Sequence, residues 1–361
     1  MRSRVRPIIF RIVESPLIDP LPPDGYATAW HAPVLVREVC NALAGHRSTA
    51  TTGLDGARLL DGTLGGGGHS LALLERGAQV VGIDRDPRAL EEAGARLAAQ
   101  ERGGRFEAVE GNHDDVNAIL ALTDRTFDGI LLDLGVSSRQ FDEDARGFSF
   151  RPGVPLDMRM DVHAELDAAA VLNESDEQTL IRIFKEFGDD PKARRLAREI
   201  LHRRERQPFT VSDDLVGAIR AVHGPRSGAP EFARIFQAVR IAVNDELDGL
   251  ARGLVMLRDR LEPGGVLAVI TYHSGEDRLV KHAFRDWSAA CTCPPRQPIC
   301  TCGGVSLGEV VTRKPITASD GEIAVNPRAR SAHLRVWRKA GGREVRVKRP
   351  SDRVMLPEGE D

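Results

Sequence analysis

Between Ala57 and Asp133 short apolar runs alternate with helical stretches, and this rhythm leaves few folds open. Leu59-Leu60, Gln79-Val-Val-Gly-Ile83, Phe106-Glu-Ala-Val109 and Phe127-Asp-Gly-Ile-Leu-Leu132 read as four strands, the second ending on Asp84 and the fourth on Asp133. Runs this short and apolar are buried on both faces, and segments of crossover length lie between them. Asp86-Pro87 opens one of the intervening helices, with aspartate at the cap and proline in the first turn. Strands joined in this way form a right-handed, doubly wound parallel sheet.

After Asp133 the rhythm breaks. Residues 134–160 are rich in Gly, Ser, Pro and Arg without a period, and a loop of that length inside a compact domain is usually functional. Apolar spacing of three and four predicts helices over 162–172, 176–187, 191–206 and 212–223, then a longer one over 230–261 closed by Pro263-Gly264-Gly265. Val266-Leu-Ala-Val-Ile-Thr-Tyr272 returns to the strand pattern, and Ala332-His-Leu-Arg-Val-Trp-Arg338 reads as the last strand. The predicted fold is therefore α/β, a Rossmann-like sheet interrupted by an all-helical insertion. The expected division is a loose tail at 1–27, a discontinuous sheet domain at 28–141 and 233–340, a helical insertion at 142–232 and a frayed tail at 341–361.

The loop between the first strand and first helix is Asp61-Gly-Thr-Leu-Gly-Gly-Gly-Gly-His69. Glycines there let backbone approach a ligand closely, and the helix N-terminus offers unpaired N–H groups. Asp84, at the end of the second strand, stands where a ribose diol needs an acceptor. A nicotinamide or flavin dinucleotide would require glycine or alanine closing the G-x-G-x-x-G/A spacing, but the window Gly65-Gly-Gly-Gly-His-Ser70 ends in serine. The Asp61 carboxylate also suits a sulfonium or an ammonium better than a pyrophosphate. These features favour S-adenosylmethionine over the dinucleotide oxidoreductase reading.

Long stretches of the chain resemble one family. They are His31-Ala-Pro-Val-Leu35, the glycine loop, Gly82-Ile-Asp-Arg-Asp-Pro87, Phe127 to Ser138, Arg146-Gly-Phe-Ser-Phe150 and Leu156-Asp-Met-Arg-Met-Asp161. Further on come Phe236 to Leu247, His273-Ser-Gly-Glu-Asp-Arg278 and Asn326-Pro-Arg-Ala-Arg-Ser331. In order, over residues 30 to 340, they are similar to the bacterial small-subunit ribosomal RNA methyltransferase H family (RsmH, also called MraW). The resemblance implies a class I S-adenosylmethionine-dependent methyltransferase acting on N4 of a cytosine, number 1402, in the decoding centre of 16S rRNA. It implies that Gly67, Gly68 and His69 hold the methionine end of the cofactor, that Asp84 holds its ribose, and that Asp133 and Gln140 line the methyl-delivery site. His113 falls where the family often carries an aromatic beside the adenine, and Gly275 where leucine is expected. The implied partners are 16S rRNA and the 30S subunit, with no membrane; a homodimer is left open.

In-line methyl transfer asks the protein mainly to align nucleophile, carbon and sulfur. An exocyclic cytosine amine is a weak nucleophile, so an acceptor on its N–H, also able to take the proton, is the chemistry required. Asp133 is the candidate. The sequence there reads Asp133-Leu-Gly-Val136 in place of the Asp/Asn-Pro-Pro-aromatic tetrad of many amine methyltransferases, so a base-stacking aromatic has to come from elsewhere; Phe148, Phe150 and Tyr272 are candidates. Gln237, Arg240 and Asn244 share a helix face beside the apolar stripe of Ile235, Val239, Val243 and Leu247, and His273 and Glu276 follow the fifth strand, which makes these five residues candidates for substrate positioning.

Net charge is -3, so positive charge for RNA must be gathered locally. Lys192, Arg194, Arg195, Arg198, Arg203, Arg204 and Arg206 gather on one predicted helix, with Arg194 and Arg198 as the chosen RNA contacts and a solvated surface as the bland alternative. Of five cysteines, Cys291, Cys293, Cys300 and Cys302 are the right number of thiolates for zinc but pair as C-x-C, not the C-x2–4-C of structural zinc sites, so zinc is left open and no metal site is assigned. With no spread disulfide framework, signal-peptide core or membrane-length apolar run, the expected location is the cytoplasm. An RNA-binding assembly factor using the fold as a scaffold is the non-enzymatic alternative, which the retained Asp61, Asp84 and Asp133 disfavour.

Overall fold

The structure is a computed structural model that describes residue 26 and residues 33–45, 53–135, 143–291, 293 and 304–341. Gln140 and the loop 136–138 lie outside the described residues, as do Cys300, Cys302 and nearly all of both expected tails.

Eight strands form one sheet: β1 Arg58–Asp61, β2 Gln79–Asp84, β3 Phe106–Glu110, β4 Phe127–Asp133, β5 Leu261–Thr271, β6 Gly308–Val310, β7 Ile316–Thr317 and β8 His333–Lys339. Their order is β3-β2-β1-β4-β5-β8-β6, with β7 also on β8. The first five run parallel, and β8 joins β5 antiparallel. Alternation along each strand sends side chains to two cores. Leu59, Leu131 and Ala268 face the core formed with α1 (Val36–Ala44), α2 (Gly68–Glu75) and α3 (Pro87–Arg102). Leu60, Leu132 and Val269 face the other core. As the order passes from β1 to β4 it reverses direction, and the carboxyl ends of those strands open a crevice at that switch point.

A third core holds five of the helices between β4 and β5: α4 (Ala168–Glu174), α5 (Glu177–Arg182, continued by a π-helical turn Ile183–Phe187), α6 (Ala193–Arg204), α7 (Ser212–His223) and α8 (Ala229–Val243). Phe232, Phe236 and Val239 of α8 pack in this core, so the helical packing runs on past residue 232. The helix expected from 162 starts instead at Ala168, where the Asp167 side chain accepts from Ala170 N at 2.7 Å and caps it.

The long helix expected over 230–261 is two helices, α8 and α9 (Glu246–Asp259). Asp245 takes a left-handed conformation (φ 49°), which aspartate tolerates, and the Asn244 side chain leaves the helix to bind Met158 O and Met160 N, each at 2.8 Å. The apolar period runs unbroken across this joint, which is why spacing alone does not reveal it. Pro263-Gly264-Gly265 does not precede the next strand: β5 begins at Leu261 and absorbs these residues as an irregularity between the pairs Phe127–Leu261 and Gly129–Val266. The remaining helices are α10 (Ser274–Ser288) and α11 (Asp320–Val325).

Candidate active site

A cavity of about 480 Å³ lies over the carboxyl ends of β1, β2, β4 and β5. Its floor is the glycine loop. Gly67 sits at φ 73° as the cap of α2, and a Cβ on Gly68 would stand 2.9 Å from the Pro33 ring, so side chains are excluded from this corner. Asp61 holds the loop from beneath, accepting from Ser70 Oγ at 2.7 Å and Thr63 N at 3.2 Å. It is fully buried, and burial raises its carboxyl above the usual range. Its carboxylate thus braces the loop rather than facing the cavity, a correction to the ligand-facing role expected of it. Thr63 Oγ1 in turn accepts from the backbone N of Asp133 at 2.6 Å, tying the loop to the end of β4.

Asp84 accepts from Gly65 N (2.8 Å) and Asp86 N (2.9 Å), one bond to each oxygen, and lines the cavity. A carboxylate has about four lone-pair positions, so it retains acceptor capacity for a diol. Burial raises its carboxyl as well. His113 opens a one-turn 3-10 helix capped by Asn112 and lines the same end of the cavity. Burial, then the nearby Arg85 charge, push its imidazole down to about 4, so at neutral pH it is an uncharged flat ring suited to stacking on a heterocycle.

Asp133 joins the two ends of the cavity. Its Oδ1 accepts from the Tyr272 hydroxyl at 2.8 Å, and its Oδ2 lies 3.6 Å from Nδ1 of His69. Nε2 of His69 bonds to Val34 O at 2.9 Å, and since a carbonyl only accepts, Nε2 carries a proton. Tyr272, named above only as a stacking candidate, is thus bonded to the proposed acceptor. Phe148 and Phe150 belong elsewhere: Phe148 is buried in the helical core, and Phe150 packs edge-on against Phe232 and Phe236. Neither lines the cavity.

Gln237, Arg240, Asn244 and His273 all line the cavity opposite the glycine loop. Arg240 makes a two-pronged pair with Glu246 (2.8 Å on each arm), and the carboxylate raises the guanidinium's pKa against the effect of burial. His273 caps α10 reciprocally with Glu276: its Nδ1 accepts from Glu276 N (3.4 Å), while Glu276 Oε2 accepts from His273 N (3.3 Å) and also from Tyr272 N (2.9 Å). Glu276 is buried, but the His273 side chain, then the Tyr272 N–H and the Arg240 charge, hold its carboxyl below the usual range. Glu246 escaped the sequence reading; Glu276 did not, and His273-x-x-Glu276 has the spacing of a capping box.

Glu246, His273 and Glu276 bring ligand atoms within 4.8 Å of one another, the composition of a divalent-metal site. Nδ1 of His273 accepts from Glu276 N at 3.4 Å, and its Nε2, 3.1 Å from Glu276 Oε1, is buried without a well-aligned hydrogen bond. The Arg240 guanidinium already covers Glu246.

Arg194 and Arg198 are exposed on α6 and do not line the cavity. Arg198 pairs with Glu177 at 2.9 Å, Arg203 with Glu199, and Arg204 bonds the carbonyls of Leu172 and Ser175. The exposed arginines of that cluster are Arg194, Arg195, Arg198 and Arg206.

A glycine-turned loop and carboxylates at the ends of β2 and β4 line one cavity of a doubly wound sheet, the place where such folds bind a nucleoside cofactor. The chain belongs to the MraW methylase family, whose profile matches residues 28–340. It is a methyltransferase, and its methyl donor is S-adenosylmethionine. It is 60% identical to the ribosomal RNA small subunit methyltransferase H of Gemmatimonas aurantiaca, with 88% of this chain and 98% of that protein covered. The proteins of the same name from Heliobacterium mobile (44% identical; 86% and 98% covered) and an Anaeromyxobacter species (48%; 86% and 97%) follow. Likeness to solved structures is weaker: an rRNA methylase from Streptococcus thermophilus is 11% identical at a TM-score of 0.35, covering 79% of this chain and 88% of that one.

Proposed function

We propose that this protein transfers the methyl group of S-adenosylmethionine to the N4 amine of a cytosine in the decoding centre of 16S rRNA. The observation that carries the reading is Asp133: a strand-end carboxylate in the wall of the cavity, between the cofactor residues and the polar face of Gln237, Arg240 and Asn244. The bound cofactor supplies a methyl carbon on a cationic sulfur. Gly67 and Gly68 leave room for its methionine end beside His69, Asp84 takes its ribose and His113 flanks its adenine. Gln140, outside the described residues, is assigned to the delivery site on resemblance alone. Asp133 accepts a hydrogen bond from the target amine, concentrates the lone pair on nitrogen and then removes the proton. Gln237, Arg240, Asn244 and His273 position the base. Because the amine of a stacked cytosine is out of reach, the nucleotide has to leave its stack to enter the cavity.

Residues 142–232, with exposed Arg194 and Arg198, are taken as the RNA-holding part of a cytoplasmic enzyme acting on the small subunit. None of the helices among the described residues is long and apolar enough to cross a membrane. Incubating the protein with labelled S-adenosylmethionine and either 30S subunits or free 16S rRNA, followed by nucleoside analysis, tests the reading. Labelled N4-methylcytidine supports it, and failure to label any RNA overturns it.

A further inference from the structure

We propose that Tyr272 is a positioning residue of the transfer reaction: its hydroxyl fixes the rotation of the Asp133 carboxylate and preserves it as the acceptor for the amine proton. The inference rests on the assignment of Asp133 above.

The sheet brings the two residues together. β4 and β5 lie parallel with Asp133 opposite Ile270, and Leu134 N bonds to Ile270 O at 3.0 Å, so Tyr272 emerges beside the end of β4. Gly135, at φ 106°, gives it room: a Cβ there would stand 3.3 Å from the ring. From the other side, the Tyr272 backbone N is held by Glu276 Oε2. With its backbone fixed there and its ring lying over Gly135, the side chain places its hydroxyl 2.8 Å from Asp133 Oδ1. Burial and the Asp133 charge raise the phenol well above its ordinary value, so it is a donor and not a phenolate throughout the working pH range.

In the reaction, the N4 lone pair forms the new C–N bond as the C–S bond breaks and sulfur keeps that pair. The proton that the methylated nitrogen must lose passes to Asp133. A carboxylate turned out of line would meet the amine in the wrong orientation, and one that has lost the hydroxyl donor would hold its own proton more tightly. Tyr272 opposes both. A hydroxyl that merely satisfies a buried oxygen would affect stability but not the pH dependence of turnover.

Tyr272→Phe keeps the ring and its packing. Its kcat is expected to fall about ten- to a hundredfold, the size of a hydrogen bond to a charged group. The acid limb of its pH–rate profile is expected to move to higher pH, because loss of the donor raises the carboxyl pKa. The Kd for S-adenosylmethionine and the KM for RNA are expected to change less than about threefold. Placing 3-fluorotyrosine at 272, a stronger donor of nearly the same shape, is expected to move the acid limb the opposite way. Wild-type kcat with an unmoved limb in Tyr272→Phe overturns the inference, and so does a loss confined to cofactor or RNA binding. Asp133→Asn separates it from its premise. A dead Asp133→Asn beside an unaffected Tyr272→Phe removes only the role of Tyr272, whereas an active Asp133→Asn removes both.

Discussion

Arg240 and Glu246 allow a quantitative test of how the substrate wall is built. Only 14% and 8% of their side-chain surfaces are exposed, and the pair is two-pronged at 2.8 Å per arm. Removing one member of such a pair strands the other charge away from water, which costs about 3–5 kcal/mol, whereas replacing both with apolar side chains of similar volume is close to neutral. Arg240→Met is therefore expected to lower Tm by roughly 4–7 °C, at about 1.3 °C per kcal/mol for a chain of 361 residues. Glu246→Leu should cost a similar amount, and the double variant should cost far less than the sum. Arg240 also faces Glu276, so the single variant leaves two buried carboxylates near each other. Their folded-state pKa values would then rise above the unfolded ones, a penalty present at neutral pH and relieved as pH falls through those raised values. Thermal melts of wild type, both singles and the double between pH 5 and pH 8 are the assay. Additive single effects, or a gap between Arg240→Met and wild type that widens toward acid, would refute a buried, mutually dependent pair.

Asp84→Asn keeps the shape of the ribose acceptor and removes its charge. A ten- to hundredfold weaker Kd for S-adenosylmethionine by calorimetry is expected, and an unchanged Kd would remove Asp84 from the cofactor site. His113→Phe preserves a flat ring where the imidazole is already neutral, so cofactor affinity at pH 7 should stay within about threefold of wild type; loss of binding would show a polar role for His113 in place of stacking. Reversing charge at both Arg194 and Arg198 should weaken RNA binding and flatten its salt dependence by about one unit of slope per lost phosphate contact, with cofactor affinity unmoved. Equal RNA affinity and slope in that variant would leave these arginines as solvated surface.

The sheet could be read from sequence because its strands are short, doubly buried and separated by caps: Asp84 and Asp133 fall at strand ends in the structure as the alternation predicts. The cofactor side of the site was legible for the same reason, since a glycine corner and a strand-end carboxylate leave local marks. The joint at Asn244-Asp245 was not, because it is set by two distant carbonyl and amide groups at Met158 and Met160, not by any break in the apolar stripe. Asp61 misled for a related reason. A carboxylate beside four glycines suggests a ligand contact, yet Ser70, nine residues on, is what it holds. Tyr272 lay 139 residues from Asp133, and only the pairing of β4 with β5 makes them neighbours. That pattern has a physical basis. Binding a nucleoside needs backbone shape, which short motifs encode, whereas setting the orientation and basicity of one carboxylate needs groups on adjacent strands, which the chain can bring together only by folding. The residues that tune this chemistry should therefore be sought along the carboxyl edge of the sheet, where β4 meets β5, rather than within the motifs that announce the cofactor.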